Sequence, residues 1–560
     1  MSQIDWVVLI GTLATIVGYG VWKTRKNANL NEYLKGGKDL GWATIGLSVM
    51  ATQASAITFI STPGQAYESG MAFVQNYFGL PLALIVVCAV FIPIYYKLKV
   101  YTAYEYLEQR FDLKVRLLTA FLFLVQRGLA AGITIYAPAI ILAAMLGWDL
   151  NLTIIGVGAL VIIYTVTGGT RAVSLTQKWQ MMIILTGMFT AFFLLLQSLP
   201  ESFGFTDALH VAGKSGRLEI VDFSFDLKKR YTIWTGIGGG FFLALSYFGT
   251  DQSQVQRYLG GKSVNESRMG LIFNALLKIP MQFFILLTGV LVFVFYQLND
   301  QPLLFNRNAV SAVQQSEYAE EFSQLNHQHH LLHDQKKETI HHLVQAIHEE
   351  DQDQTDIYQN QLQVMDKESK ALRDQAQELA FQADPTTVSK DSDYVFLTYI
   401  LDHLPKGIVG LLIAVILSAA MSSTSGELNA LASTTTIDFY KRLGKVQSAK
   451  QEVLASKWLT LFWGILAISF ALFARLVENL IEAVNILGSL FYGTVLGVFL
   501  IAFFLKKLKS FETFIGAIIT QTLVIASFFI LGDDVSYLLY NLLGCLSVLI
   551  FSYLVGLFRN

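Results

Sequence analysis

The amino-acid sequence predicts an all-α integral membrane protein with about thirteen transmembrane helices. Three observations carry that prediction. Of 560 residues, 53% are hydrophobic and only 15% are charged, against about 25% charged in soluble chains, and the mean hydropathy is +0.48. Apolar runs of roughly 20 residues, enough to cross hydrocarbon as a helix, recur along the chain. Lys and Arg collect in alternate connecting loops, the bias of cytoplasmic loops. A net charge of −2 with no basic patch gives no nucleic-acid partner. Cys88 and Cys545 both fall in apolar runs and read as buried thiols.

The first run, 4–22, lacks a preceding basic stretch and is followed by Lys23, Arg25 and Lys26, so it reads as a retained span. Spans follow at 41–62, 72–96, 116–146, 151–168, 178–199, 231–250 and 270–297. Beyond a polar stretch come 396–425, 453–474, 479–505, 511–531 and 535–557. Basic loops alternate with neutral or acidic ones: Lys35 and Lys38 before the second span, then Lys97, Lys99, Arg110 and Lys114, then Arg171 and Lys178, then Arg257, Lys262 and Arg268, then Lys441, Arg442, Lys445 and Lys450, then Lys506, Lys507 and Lys509. That alternation puts the N-terminus outside and the C-terminus in the cytoplasm, in the cell (inner) membrane. The chain thus divides into 1–298 with spans one to eight, a polar extracytoplasmic insertion at 299–394, and 395–560 with spans nine to thirteen. Apolar residues of the insertion recur at three and four, as in Phe322, Leu325 and Leu332 or Leu362, Met365, Leu372 and Leu379, which predicts a helical hairpin or short coiled coil. Its histidines include the i,i+4 pair His329/His333, but they read as a solvated polar face and no metal is assigned.

Two stretches are too small and hydroxyl-rich for ordinary spans: Ala51-Thr52-Gln53-Ala54-Ser55-Ala56-Ile57-Thr58 and Ser418-Ala419-Ala420-Met421-Ser422-Ser423-Thr424-Ser425. Weakened helix at membrane depth is tolerated where it is buried in protein or lines a polar cavity. The first stretch runs into Pro63-Gly64, and each is expected beside a Pro or Gly break. Together they read as two halves of one cation site, because neutral carbonyls and hydroxyls suit sodium and let it leave. Polar residues elsewhere in the spans, among them Gln126, Arg127, Gln177, Gln180, Ser246, Asp251, Asn429, Glu482 and Asn485, are costly there and mark functional positions. Lys278, flanked by apolar residues and Pro280, reads as a cation facing a cavity. There is no phosphate-binding loop and no nucleophile–base or Cys/His cluster in the spans, which excludes an enzyme and ATP-driven transport from this chain.

These residues resemble the sodium/solute symporter family. The stretches that carry the resemblance are Tyr101-Thr102-Ala103-Tyr104-Glu105-Tyr106-Leu107-Glu108-Gln109-Arg110-Phe111, Tyr164 to Val173, Gly249-Thr250-Asp251-Gln252 with Val255 to Leu259, and Ser422-Ser423 to Asn429. The resemblance implies the leucine-transporter fold: inverted five-helix repeats, the first at roughly 41–199 and the second at roughly 231–505 around the insertion, with one extra N-terminal and two extra C-terminal helices. It implies sodium as the coupling ion, held by the carbonyls of Ala51, Ala54 and Ala419 and the hydroxyls of Ser422 and Ser423. It places an inner-gate tyrosine at Tyr247 and the cavity lysine of sugar carriers at Lys278, and it leaves Gln53, Thr58 and Tyr77 to shape the solute pocket. Gln177 follows Thr176 where many members have an Asp, which implies one coupled sodium. Thr58, Tyr77 and Ile481 stand where sugar carriers have polar residues, so the branch carrying small anions, monocarboxylates and vitamins is the better match, with Lys278 and Arg127 facing an anion.

The expected function is a sodium-coupled secondary active symporter importing a small organic solute by alternating access, with solute, sodium and the lipid bilayer as its partners. The alternatives are a sodium-coupled sugar or sialic acid symporter, and a non-transporting sensor whose outer insertion binds an unspecified protein. A kinase-fused sensor is not expected, since only a few residues follow the last span. A channel would need a continuous polar pore instead of two isolated stretches.

Overall fold

Between Gln53 and Ala56 the backbone leaves the helical conformation, and the rest of the bundle is arranged around that break. The structure, a computed structural model, describes residues 2–24, 39–200, 203–385, 391–444, 448–473 and 480–559. Helix α1 (Gln3–Thr24) precedes α2 (Trp42–Gln53) and α3 (Ala56–Ser69), which are separated by Ala54 and an extended Ser55. A short helical run, Leu80–Val86 continuing through Ile92–Leu98, leads to α4 (Leu113–Leu146) and α5 (Leu150–Gln197). Within α5, Gly169 takes φ 61° and ψ −175°, a conformation open essentially to glycine alone, and this kink divides the fifth expected span from the sixth. Then come α6 (Gly240–Thr250), α7 (Gln252–Leu259) and α8 (Val264–Leu298).

The expected break at Pro63-Gly64 does not occur; both residues lie inside α3. Their role is close approach. A Cβ on Gly64 would lie 2.0 Å from the Ser392 carbonyl oxygen, and one on Gly289 would lie 2.3 Å from that of Pro63.

The insertion forms the expected hairpin, α9 (Ala319–His348) and α10 (Gln352–Ala383). Phe322, Leu325 and Leu379 bury one end of the hairpin in a small core with Leu303 and Leu304, while Ile340, Leu343 and Leu362 join the main core. One expectation needs correction. His329 and His333 turn inward, 1% and 4% exposed, with rings stacked 6.4 Å apart. They belong to the packed face of α9, whereas His327, His330, His341, His342 and His348 face outward. Among the described residues no group of three or more His, Cys, Asp or Glu side chains is placed to hold a metal.

The expected span at 396–425 is two helices, α11 (Ser392–His403) and α12 (Ile408–Thr434), parted at Leu404–Gly407. Asp5 of α1 accepts the Gly407 and Gly410 amides at 2.5 and 3.1 Å, capping the start of α12. The stretch Ser418–Ser425 lies inside continuous α12, so the second half of the candidate site is intact helix rather than a break. Helices α13 (Ala449–Phe473), α14 (Leu480–Phe504), α15 (Ser510–Leu531) and α16 (Leu539–Arg559) complete the chain.

Among the described residues nine helices are long and apolar enough to cross a membrane, and Gln3–Ile16 and Leu150–Val166 are shorter apolar helices. The tally differs from thirteen because neighbouring runs follow one another with little connecting chain, as across Ala56–Leu98, and because broken segments such as α2 and α6 fall short of spanning length. Arg25, Lys26, Lys35, Lys38 and Lys445 of the expected inner loops lie outside the described residues. Arg257 is not a loop charge at all: it sits on α7 and is fully buried. Helix α12 lies at the centre, against α1, α2, α4 and α5.

Candidate functional site

A helix that stops at Gln53 leaves the carbonyls of its last turn without intrahelical amide partners. One of these, Ala51 O, accepts the Ser422 hydroxyl of α12 at 3.0 Å. On the next residue of α12, the Ser423 hydroxyl donates to the carbonyls of Ala419 and Ala420 at 3.0 and 3.3 Å. The structure therefore brings Ala51 and Ser422 together across α2 and α12, joins Ser423 to Ala419 within α12, and puts Ala54 at the C-cap of α2, at the break itself. All five are buried. Gln177 of α5 closes the same contact. Its Oε1 accepts the Ser48 hydroxyl at 2.5 Å, and its Nε2 donates to Thr52 Oγ1 at 3.1 Å and to Ser422 O at 2.9 Å. The donor set is neutral oxygen throughout, which fits a monovalent hard cation.

Beside this contact is a cavity of about 150 Å³. All five residues expected to shape the solute pocket or gate line it: Gln53, Thr58, Tyr77, Tyr247 and Lys278. Gln53 bonds Asn274 at 3.3 Å, and Thr58 bonds Gln53 O at 3.3 Å. Lys278 is 2% exposed, its ammonium 5.3 Å from the Tyr77 ring centroid. Among the described residues it has no carboxylate partner. Tyr247 accepts from Gln254 Nε2 at 2.6 Å and lies 6.0 Å from the Tyr492 ring.

Arg127 departs from expectation. Its charge does not face an anion; it is held by Glu427 (3.0 Å), Asp251 and Tyr492, whose hydroxyl also donates to Asp251 at 2.7 Å. A buried guanidinium is stable only when paired, and here two carboxylates pair it. Sequence reasoning missed Glu427 and Tyr492. The signal for Glu427 was available: one acidic residue inside the apolar helix Ile408–Thr434, four residues after Ser423.

Two of the motif stretches hold each other. Tyr95 and Tyr104 donate to the carbonyls of Gly249 and Thr250 at 2.7 and 3.0 Å. The Gln252 amide bridges Tyr101 O (3.0 Å) and Ala103 N (3.1 Å). These bonds fasten the junction of α6 and α7, where Asp251 sits, to the segment after the third expected span.

A sequence profile of the sodium:solute symporter family matches residues 33–320 and 376–520. The chain belongs to the sodium:solute symporter family. The unmatched gap, 321–375, holds most of the α9–α10 hairpin, so that element is an addition to the family core. The chain is 32% identical to human sodium-coupled monocarboxylate transporter 2 over 275 residues, 49% of this chain and 44% of that protein, so it spans about half the relative's length. It is 26% identical to the sodium/sialic acid symporter SiaT of Proteus mirabilis over 559 residues, 98% of this chain and 93% of that one. A solved substrate-bound, outward-open structure of a Na+-coupled sialic acid symporter superposes with a TM-score of 0.75 at 24% identity, covering 99% of this chain and 98% of that one. The two share a fold, and the chain is a multi-pass membrane protein.

Proposed function

We propose that this protein is a sodium-coupled secondary active symporter that imports a small carboxylate-bearing solute. The observation that carries the reading is the contact of Ala51 with Ser422, neutral oxygens at a helix break with Ser423 next along α12, beside a cavity whose Lys278 has no acidic partner among the described residues. Sodium between the carbonyls of Ala51, Ala54 and Ala419 and the hydroxyls of Ser422 and Ser423 would tie α2 to α12 and so complete the adjoining pocket. The solute carboxylate would sit on Lys278, with Gln53, Thr58 and Tyr77 shaping the pocket and Tyr247 gating the inner side. Repeats at roughly 41–199 and 231–505 would rock against each other to exchange access, with the N-terminus outside and the C-terminus cytoplasmic in the inner membrane. By linkage, sodium and solute raise each other's affinity by the same factor. The neutral Gln177 amide, already engaged with Ser48, Thr52 and Ser422, supports one sodium per cycle.

A sialic acid is the second reading, favoured by the match to the sialic acid symporter along nearly the whole chain. The cavity of about 150 Å³ favours a smaller solute, since drug-sized ligands occupy roughly 300–1,000 Å³. Thermal unfolding of the purified protein in sodium and in potassium, with sugars, sialic acid, monocarboxylates, amino acids and vitamins, tests both. The proposal expects stabilisation by solute only when sodium is present, reaching a few kcal/mol at saturation. Equal stabilisation in potassium overturns the coupling.

A further inference from the structure

We propose that Glu427 is a specificity-determining residue and that the preferred solute is a zwitterion, a small amino acid, rather than a simple monocarboxylate. This rests on the symport reading above and adds a second pole to its solute. The cavity wall contains three buried oxygens that accept no hydrogen bond: Asn76 Oδ1, Gln126 Oε1 and Glu427 Oε2. An ionised carboxylate can only accept, so Glu427 fixes the polarity of what belongs there: a group bearing N–H or O–H. A buried acceptor left unpaired costs the full desolvation of that group, more so when it is charged.

The charge count points the same way. Asp251 and Glu427 share the single guanidinium of Arg127. Asp251 is otherwise satisfied, taking Tyr492 and the Ser253 amide at 2.7 and 2.8 Å. Glu427, 5% exposed, has its Oε1 engaged by Arg127 and the Thr134 hydroxyl near its carboxyl, while its Oε2 accepts no hydrogen bond. With its side chains ionised this cluster has one carboxylate more than it has guanidinium groups, and Lys278, on α8, is a cation in its protonated form with no acidic partner among the described residues. A cavity with both poles open is complementary to a molecule with both charges. A monocarboxylate satisfies Lys278 and leaves Glu427 unanswered; a simple amine does the reverse. An ammonium brings three N–H donors to Glu427 and its neighbours. Glu427 lies one helical turn beyond Ser423 on α12, so the ammonium pole adjoins the proposed sodium ligands, and the carboxylate pole lies with Lys278.

The test is thermal unfolding of the full-length protein in sodium with matched pairs: each small L-amino acid, its des-amino acid and its methyl ester. The inference expects at least one amino acid to bind roughly tenfold or more tightly than its des-amino counterpart, the range for a hydrogen bond to a charged group. It expects Glu427→Gln, which keeps the amide oxygen for Arg127, to erase that preference. Glu427→Asp should retain part of it. If no amino acid outperforms its des-amino partner, or Glu427→Gln preserves the preference, the inference fails. Des-amino acids binding as well as amino acids, with both lost in Lys278→Met, would keep the carboxylate reading and sink only the zwitterion. Methyl esters binding as well as acids would sink the carboxylate reading itself.

Discussion

Gln177 has both amide N–H groups engaged, by Thr52 and Ser422, and its oxygen accepts from Ser48. It therefore acts as a neutral strut between α2, α5 and α12. Replacing it by Asp shortens the side chain by one methylene, removes the donors and adds a charge near Thr52 and Ser422. Titration of sodium-dependent stabilisation should then change from a Hill coefficient of about 1 toward a steeper curve. Ser423 offers a cleaner prediction. Its hydroxyl bonds only carbonyls of its own helix, a type of bond whose net value is about 1 kcal/mol or less. Ser423→Ala should leave the melting temperature in potassium nearly unchanged and weaken the sodium response roughly tenfold or more. A large loss of stability in potassium would mean that the hydroxyl is structural. At this scale part of the arrangement was legible: Ala51 and Ser422, from the two hydroxyl-rich stretches, meet across α2 and α12. Glu427 is marked as a lone acid in an apolar helix, but its cluster is not, because Arg127 and Tyr492 come from distant helices and no local spacing announces them.

At the scale of elements, hydropathy located the apolar runs and the periodicity of the insertion, since both are local properties. It misplaced the break in the second span. The break falls at Ala54–Ser55 rather than Pro63-Gly64, where bonds from Ser422 and Gln177 hold the end of α2. Those partners are far away in sequence. Gly169 was better marked, since its stretch ends one expected span, and its φ of 61° with ψ of −175° makes Gly169→Ala cost on the order of 1–3 kcal/mol in thermal unfolding. The hairpin carries a pH prediction. Burial pushes the His329 ring down to about 3, with Arg373, His333, His330 and Lys336 adding to the effect, and burial also lowers His333, with Lys336 as the first charge acting with it. Asp334 and Asp300 act in the opposite sense on His333. A histidine whose folded value lies below the unfolded value of about 6.5 binds fewer protons folded than unfolded in the window between them. The stabilisation is thus complete above pH 6.5 and lost as pH falls toward 3. The local opening free energy of α9 and α10, taken from hydrogen exchange after division by the intrinsic rate at each pH, should fall by about 3 kcal/mol between pH 7 and pH 4. His329→Leu should flatten that dependence.

For the whole molecule, one cluster joins four parts of the bundle: Arg127 on α4, Asp251 at the α6–α7 junction, Glu427 on α12 and Tyr492 on α14. Because the motif stretches around Tyr101 and Gln252 clasp the same junction, α6 and α7 are fastened both in the cavity and at the base of the third expected span. Rocking of the proposed repeats would have to keep or release these bonds as a set. The cavity set is electrostatic, and its energetics are asymmetric. Removing one member strands buried charge at a cost of about 3–5 kcal/mol, whereas removing all the charges together is often close to neutral. Arg127→Met should therefore lower the unfolding midpoint strongly, with Asp251 and Glu427 left facing each other's charge. Adding Asp251→Asn and Glu427→Gln to Arg127→Met should recover most of the loss, a non-additivity expected only of residues in direct contact. The triple variant would be stable and yet have lost the tie between α4, α7 and α12, so its sodium- and solute-induced stabilisation should fall even where its melting temperature does not. Recovery of stability together with an intact ligand response would show that the cluster only fills space. Recovery of stability with a sodium response lost in the absence of solute assigns the cluster to the sodium side of the coupling, since Glu427→Gln alone removes a proposed solute contact.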